Sequence, residues 1–134
     1  MAKRPEAAPV PEKPPLHIKG GHLVVASPPD LGEACFSVPA VRALRHARPT
    51  ASLAVLTPIS LAPLWKSVEG INHLIHYPDR ASASRIASLL KSCDLGLESS
   101  FCWDPQPAAR AFAKAGIPQR LGYDLKGLAP TLTD

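Results

Sequence analysis

The chain has 134 residues, 46% of them apolar and 19% charged, so it can bury a core and is not disordered throughout. Its formal charge of +4 is spread out and only 5% of its residues are aromatic, which argues against a nucleic-acid face. Weak attraction to anionic lipid or phosphorylated ligands fits a sequence pI of about 9.2.

The start, MAKRPEAAPVPEKPPLHIKGG, has charge but no apolar h-region, so it is no secretory signal. Pro5, Pro9, Pro11, Pro14 and Pro15 among mixed charges predict a flexible, partly extended tail over 1–21. The folded part is expected from His22 onward. No stretch approaches the ~18 consecutive apolar residues of a membrane helix.

HLVVAS (22–27) is a short run rich in β-branched residues, the pattern of a strand covered on both faces. The stretch 33–47 places Phe36, Ala40, Val41 and Leu44 at helical spacing, with Arg42, Arg45 and Arg48 on the other side. Pro39 predicts that the regular helix starts near Ser37 or kinks there. SLAVLTP (52–58) is a second strand, followed by a helix near 60–68 with Leu61, Leu64, Trp65 and Val68 in its stripe and Gly70 at its end. Trp65 on that stripe reads as core. HLIHYP (73–78) is a third strand, and its His73 and His76, without acidic partners, read as half-exposed strand residues rather than metal ligands.

Ser82 or Ser84 is expected to cap a helix reaching about residue 92, with Ile86, Leu89 and Leu90 buried. DLGLESS (94–100) is a fourth strand. DPQPAARAFAKAG reads as a helix with Asp104 near its cap and Gly116 past its end. RLGYD (120–124) is a fifth strand candidate. Strands alternating with helical stretches predict an α/β fold, a Rossmann-like parallel sheet with helices on both faces. Cys35, Cys93 and Cys102 form no CxxC pair and leave an odd count, which argues against a disulfide scaffold or zinc site and for a reducing cytosol.

Ligands of open parallel sheets bind at the carboxyl ends of the strands. The loops expected there are SPPDLGE, TPIS, ESSFCWD and YDLKG. SPPDLGE lacks the glycines of a dinucleotide fingerprint and the Lys-Ser/Thr pair of a P-loop. It offers Asp30 and Glu33 at the mouth of a helix, where the dipole and unsatisfied amides attract a carboxylate. The residue types leave Glu33 two roles, general base or helix cap. Trp103 could stack on a sugar or be a plain loop residue, and Arg120 and Tyr123 could be ligand contacts or edge-strand residues. Ser99 and Ser100 have no His or acid nearby and read poorly as nucleophiles.

Two stretches resemble a known family. "HLVVASPPDLGEACFSVPAVRALRHARPTASLAVLTP" is similar to the opening of the heptosyltransferases of glycosyltransferase family nine. Their pattern is an apolar strand, a short loop ending in Gly-Asp, a proline-bearing helix and a Pro-x-Ala-like turn, here Pro49 to Ala51. "FAKAGIPQRLGYDLKGLAPTLTD" is similar to the family's "ffaGIPhRiGy…g…LLtd", most specifically at Gly116-Ile117-Pro118, Arg120 and Gly122-Tyr123. The likeness runs over residues 22–134.

The resemblance implies the N-terminal, acceptor-binding half of a GT-B enzyme. In that family the lipopolysaccharide acceptor lies on the first domain and ADP-heptose on the second. The reaction is inverting, independent of metal or other cofactor, and uses a carboxylate base in the first loop. Carried onto this sequence, the base is Glu33, after Gly32. The acceptor-binding residues expected on the same edge are Asp30, Gly32, Ser100, Trp103, Arg120 and Tyr123. The implied setting is the cytoplasm, with peripheral contact at the inner face of the inner membrane.

The sequence departs from the family in three ways. The family's acid is aspartate, and Glu33 is one methylene longer. Its serine three positions before the glycine is Pro29 here, and its basic residue before the motif is absent. The resemblance further implies a second domain of comparable size that these 134 residues do not hold. The chain is therefore expected to be a fragment, one part of a split enzyme, or a module that has lost catalysis.

Overall fold

The computed structural model describes residues 21–90, 92–98 and 107–122. Its centre is β1 (His22–Ala26), followed by α1 (Leu31–Ala47), β2 (Ser52–Pro58), a 3-10 turn (Ile59–Leu61) and α2 (Ala62–Lys66). Then come β3 (His73–Tyr77), α3 (Ala83–Ala87), β4 (Leu95–Glu98), α4 (Pro107–Lys114) and β5 (Gln119–Leu121). The five strands form one sheet in the order β3-β2-β1-β4-β5, and every pairing is parallel. The expected Rossmann-like architecture is what forms.

Alternation along the strands sorts the core into two layers. Leu23, Val25, Leu53, Val55 and Leu95 face one side and pack with Ala34 and Val41 of α1 and with Leu61, Trp65 and Val68. Val24, Ala26, Ala54, Leu56 and Tyr77 face the other and pack with Ile86, Leu90 and Phe112. β1 is apolar after its exposed first residue, His22, because both its faces are covered and both its edges are paired. Gly96 of β4 lets α4 approach, since a Cβ there would lie 2.7 Å from the ring of Phe112.

Several expectations need correction. α1 begins at Leu31 and continues past Pro39, so the late start near Ser37 does not occur. Pro39 is exposed, and the carbonyl it cannot bond belongs to Cys35, also on the outer face, where water can reach it. The buried stripe is Ala34, Ser37 and Val41, with Val38 and Leu44 beside it. Phe36, expected inside, is 82% exposed. α2 ends at Lys66 rather than at Gly70, and α3 spans only Ala83–Ala87, capped by Ser82. The tail over 1–20, Cys102 and the proposed cap Asp104 lie outside the described residues.

The edge at the amino ends of the strands is fastened by two polar side chains. Arg45 Nε donates to the carbonyl of Gly70 at 2.7 Å, and its Nη1 donates to those of Arg48, Pro49 and Ala51 at 3.2, 3.1 and 2.8 Å. Its Nη2 donates to Asn72 Oδ1, which also accepts from Leu53 N. Asp94 Oδ2 accepts from the amides of Gly21 and His22 at 3.1 and 3.0 Å, joining β1 to the start of β4.

Two substitutions test this packing. Gly96→Ala should destabilise the chain by about 1–3 kcal/mol, because Phe112 is fully buried and cannot retreat without strain. Arg45→Met should cost about 1.5–3 kcal/mol, the range for hydrogen bonds to a charged group, and Arg45→Lys should recover less than half of it. Urea unfolding of each variant at neutral pH measures both.

Candidate functional site

The strand order places β1 between β2 and β4, and the helices that follow β1 and β4, namely α1 and α4, pack on opposite faces of the sheet. The crevice of such a switch point is where ligands bind in open α/β sheets. On the β1 side, Ser27 N continues the ladder by donating to Leu56 O at 2.7 Å. Ser27 Oγ donates to Pro28 O at 2.9 Å and accepts from Trp65 Nε1 at 2.9 Å. Trp65 is thus core, as its position in the stripe predicts, and also the anchor of this loop.

Asp30 is the N-cap of α1, and its Oδ2 accepts from Glu33 N at 3.1 Å. The cap role weighed for Glu33 therefore belongs to Asp30. Glu33 lies in the first turn of the helix, half-buried. Gly32 fits because a Cβ at this position would come within 3.1 Å of Asp30 Oδ2 and crowd the cap.

On the β4 side, Glu98 stands beside Ala26 in the register and is 3% exposed. Tyr77, at the end of β3, belongs to the core layer on the α3–α4 face. Burial, with the nearby carboxylates of Asp79 and Glu98, pushes its phenol up to about 12. The hydroxyl stays protonated at neutral pH and keeps a proton to donate.

Above this face opens a cleft of about 340 Å³ lined by Pro29, Pro58, Ser60, Tyr77, Asp79, Arg80, Ala81 and Pro107. Ser60 Oγ donates to Asp79 Oδ1 at 3.2 Å. Arg80 has a backbone φ of 65°, in the left-handed region. Among the described residues no hydrogen bond or ion pair engages its guanidinium.

Of the residues expected from sequence, Asp30, Gly32 and Glu33 sit together on the carboxyl edge. Arg120 lies on the outermost strand, β5, with its Nη1 donating to Ile117 O at 2.8 Å. Ser100, Trp103 and Tyr123 lie outside the described residues. His73 and His76 are exposed strand residues, and no group of three metal-ligating side chains occurs among the described residues. The YPDR turn after β3 was absent from the loops expected on this edge, although Pro-Asp directly after an apolar strand is a turn signal. Glu98 also escaped notice; its only signal is one charge closing the otherwise apolar run LGLE.

No family model matches the sequence, and no curated protein matches it. Two solved structures share its fold. One is the Escherichia coli ADP-heptose lipopolysaccharide heptosyltransferase II, with a TM-score of 0.72 and 23% identity, covering 84% of this chain and 34% of that one. The other is a family nine glycosyl transferase from Veillonella parvula, with a TM-score of 0.71 and 16% identity, covering 88% and 36%. The chain spans about a third of the length of these structures. It has the fold of a glycosyltransferase domain.

Asp30→Ala should lower stability by about 1 kcal/mol, the usual worth of an N-cap, and Asp30→Asn should be nearly neutral because asparagine caps as well. Urea midpoints for the two variants check this. Tyr77 supplies a pH test. Its folded value lies above the unfolded one, so the contribution is full below about pH 10 and is lost as pH rises toward about 12. Parallel urea titrations at several alkaline pH values should show a steeper loss for the parent than for Tyr77→Phe.

Proposed function

We propose that the chain is the acceptor-side domain of a heptosyltransferase-like glycosyltransferase, one that moves heptose from ADP-heptose to the inner core of lipopolysaccharide. The donor is bound by a second domain of the GT-B type, and the work is done in the cytoplasm at the inner face of the inner membrane. The observation that carries this reading is a carboxylate, Glu33, in the first turn of the helix that follows the central strand, beside the switch point of a family nine-like sheet.

In the proposed reaction an acceptor hydroxyl oxygen attacks the anomeric carbon of the donor. The bond from that carbon to the diphosphate breaks with inversion, and ADP leaves with the electron pair. Glu33 takes the hydroxyl proton as the new bond forms. No metal or other cofactor enters this scheme. Asp30 holds the helix mouth in place, and the acceptor lies along the edge bearing Gly32, with Ser100, Trp103, Arg120 and Tyr123 proposed as further contacts. The extra methylene of Glu33, relative to the family's aspartate, moves the carboxylate by about 1 Å, enough to change the rate through positioning.

A second reading is a binding module that keeps the fold without transfer. It is favoured by the lining of the cleft, which includes Pro29 but not Glu33. One substitution separates the two. In a full-length or reconstituted enzyme, Glu33→Gln should cut the rate of heptose transfer by about 100-fold or more, and Glu33→Asp should hold or raise it. Unchanged transfer by Glu33→Gln would remove Glu33 from the chemistry.

A further inference from the structure

The cleft beside the switch point has its own chemistry, separate from Glu33. Its walls are apolar: Pro29, Pro58, Ala81 and Pro107, with Tyr77 on the strand side. Its polar groups are few and concentrated at the turn after β3. Ser60 Oγ donates to Asp79 Oδ1 at 3.2 Å and so fixes that carboxylate. Oδ2 has no hydrogen-bond partner among the described residues. The Tyr77 hydroxyl remains protonated, and no hydrogen bond among the described residues engages it. Arg80 contributes a guanidinium without a partner among the described residues, presented from a left-handed backbone that only a constrained turn maintains.

A carboxylate, a neutral phenol and a guanidinium above apolar walls form an amphipathic pocket. Its size falls within the range of about 300–1,000 Å³ usual for small-molecule sites. A free anion would meet the Asp79 carboxylate as well as Arg80, so the cluster does not suit a phosphate or carboxylate alone. A sugar ring suits it: C–H faces against proline and tyrosine, and hydroxyls that both donate and accept.

We propose that Asp79, Arg80 and Tyr77 form a subsite for a neutral pyranose unit, with Asp79 Oδ2 accepting from one hydroxyl of a vicinal diol. Arg80 and the Tyr77 hydroxyl donate to neighbouring sugar oxygens. Asp79 and Arg80 are then residues that determine which glycoside the edge accepts. This rests on the reading of the domain as the acceptor side of a glycosyltransferase, and adds the place on the edge where one sugar ring sits.

Saturation-transfer NMR on the full chain with methyl mannoside as the probe tests it. The ring protons should receive saturation, and a vicinally dideoxy analogue should bind at least tenfold more weakly. Asp79→Asn and Arg80→Ala should each weaken mannoside binding at least tenfold, Ser60→Ala should weaken it less, and Glu69→Gln, at an exposed site on the α2–β3 turn, should not change it. Circular dichroism establishes that each variant is folded. Equal binding of the dideoxy analogue, parent-like binding by both Asp79→Asn and Arg80→Ala, or no transfer to the mannoside at all would overturn the proposal. Preferential binding of glucuronate or inorganic phosphate would overturn it in favour of an anion site. Mannoside binding that depends on Asp79, in a full-length or reconstituted protein that transfers no heptose, would leave the subsite standing and remove the transferase reading. The reverse pair of results would remove the subsite alone.

Discussion

Everything on the ligand edge follows from one constraint: β1 is paired in parallel on both sides and buried on both faces. A strand in that position can carry only apolar side chains, and HLVVA does so after its exposed first residue. Polar chemistry is therefore displaced to the residues just beyond it, beginning at Ser27. Parallel pairing on both sides also forces the chain to leave the sheet once toward β2 and once toward β4. The helices that follow β1 and β4 pack on opposite faces of the sheet, which makes the β1–β4 junction its switch point.

The two ends of the sheet then divide their labour. At the amino edge, Arg45 and Asp94 consume carbonyls and amides that the turns would otherwise leave unmet. The guanidinium fork suits this place because it reaches four backbone carbonyls and one side chain with a single planar group. At the carboxyl edge the polar groups of the β3 turn remain open toward the cleft.

The sequence made the sheet legible because strands buried on both faces read as unbroken apolar runs, and SLAVLTP coincides with β2 residue for residue. Helix ends and faces were less legible. Phe36 lies at helical spacing from Ala40, which is also exposed, so periodicity alone could not say which stripe faced the sheet. Small residues, Ala34 and Ser37, occupy the buried stripe, and hydropathy scores such residues weakly. The switch-point carboxylates show the same split. Glu33 was legible as an acid after a glycine in a strand-to-helix turn, whereas Glu98 required knowing that β4 lies beside β1. That pairing is a long-range fact, absent from any local window.

The loop SPPDLGE can now be read physically. Pro28 and Pro29 have no N–H, so two of the amides that could converge on a phosphate are missing. The amide of Glu33 is committed to Asp30. Such a loop does not cradle a phosphate. It is instead held stiffly, by two fixed φ angles, by the Ser27 bond to Trp65 and by the Asp30 cap. Stiffness is what a positioning element needs, since a carboxylate displaced by an ångström loses much of its effect. Pro29 forms part of the cleft wall while Glu33, four residues on, stands in the first turn of α1. One stiff segment thus joins the cleft wall at Pro29 to the first turn of α1, where Glu33 stands.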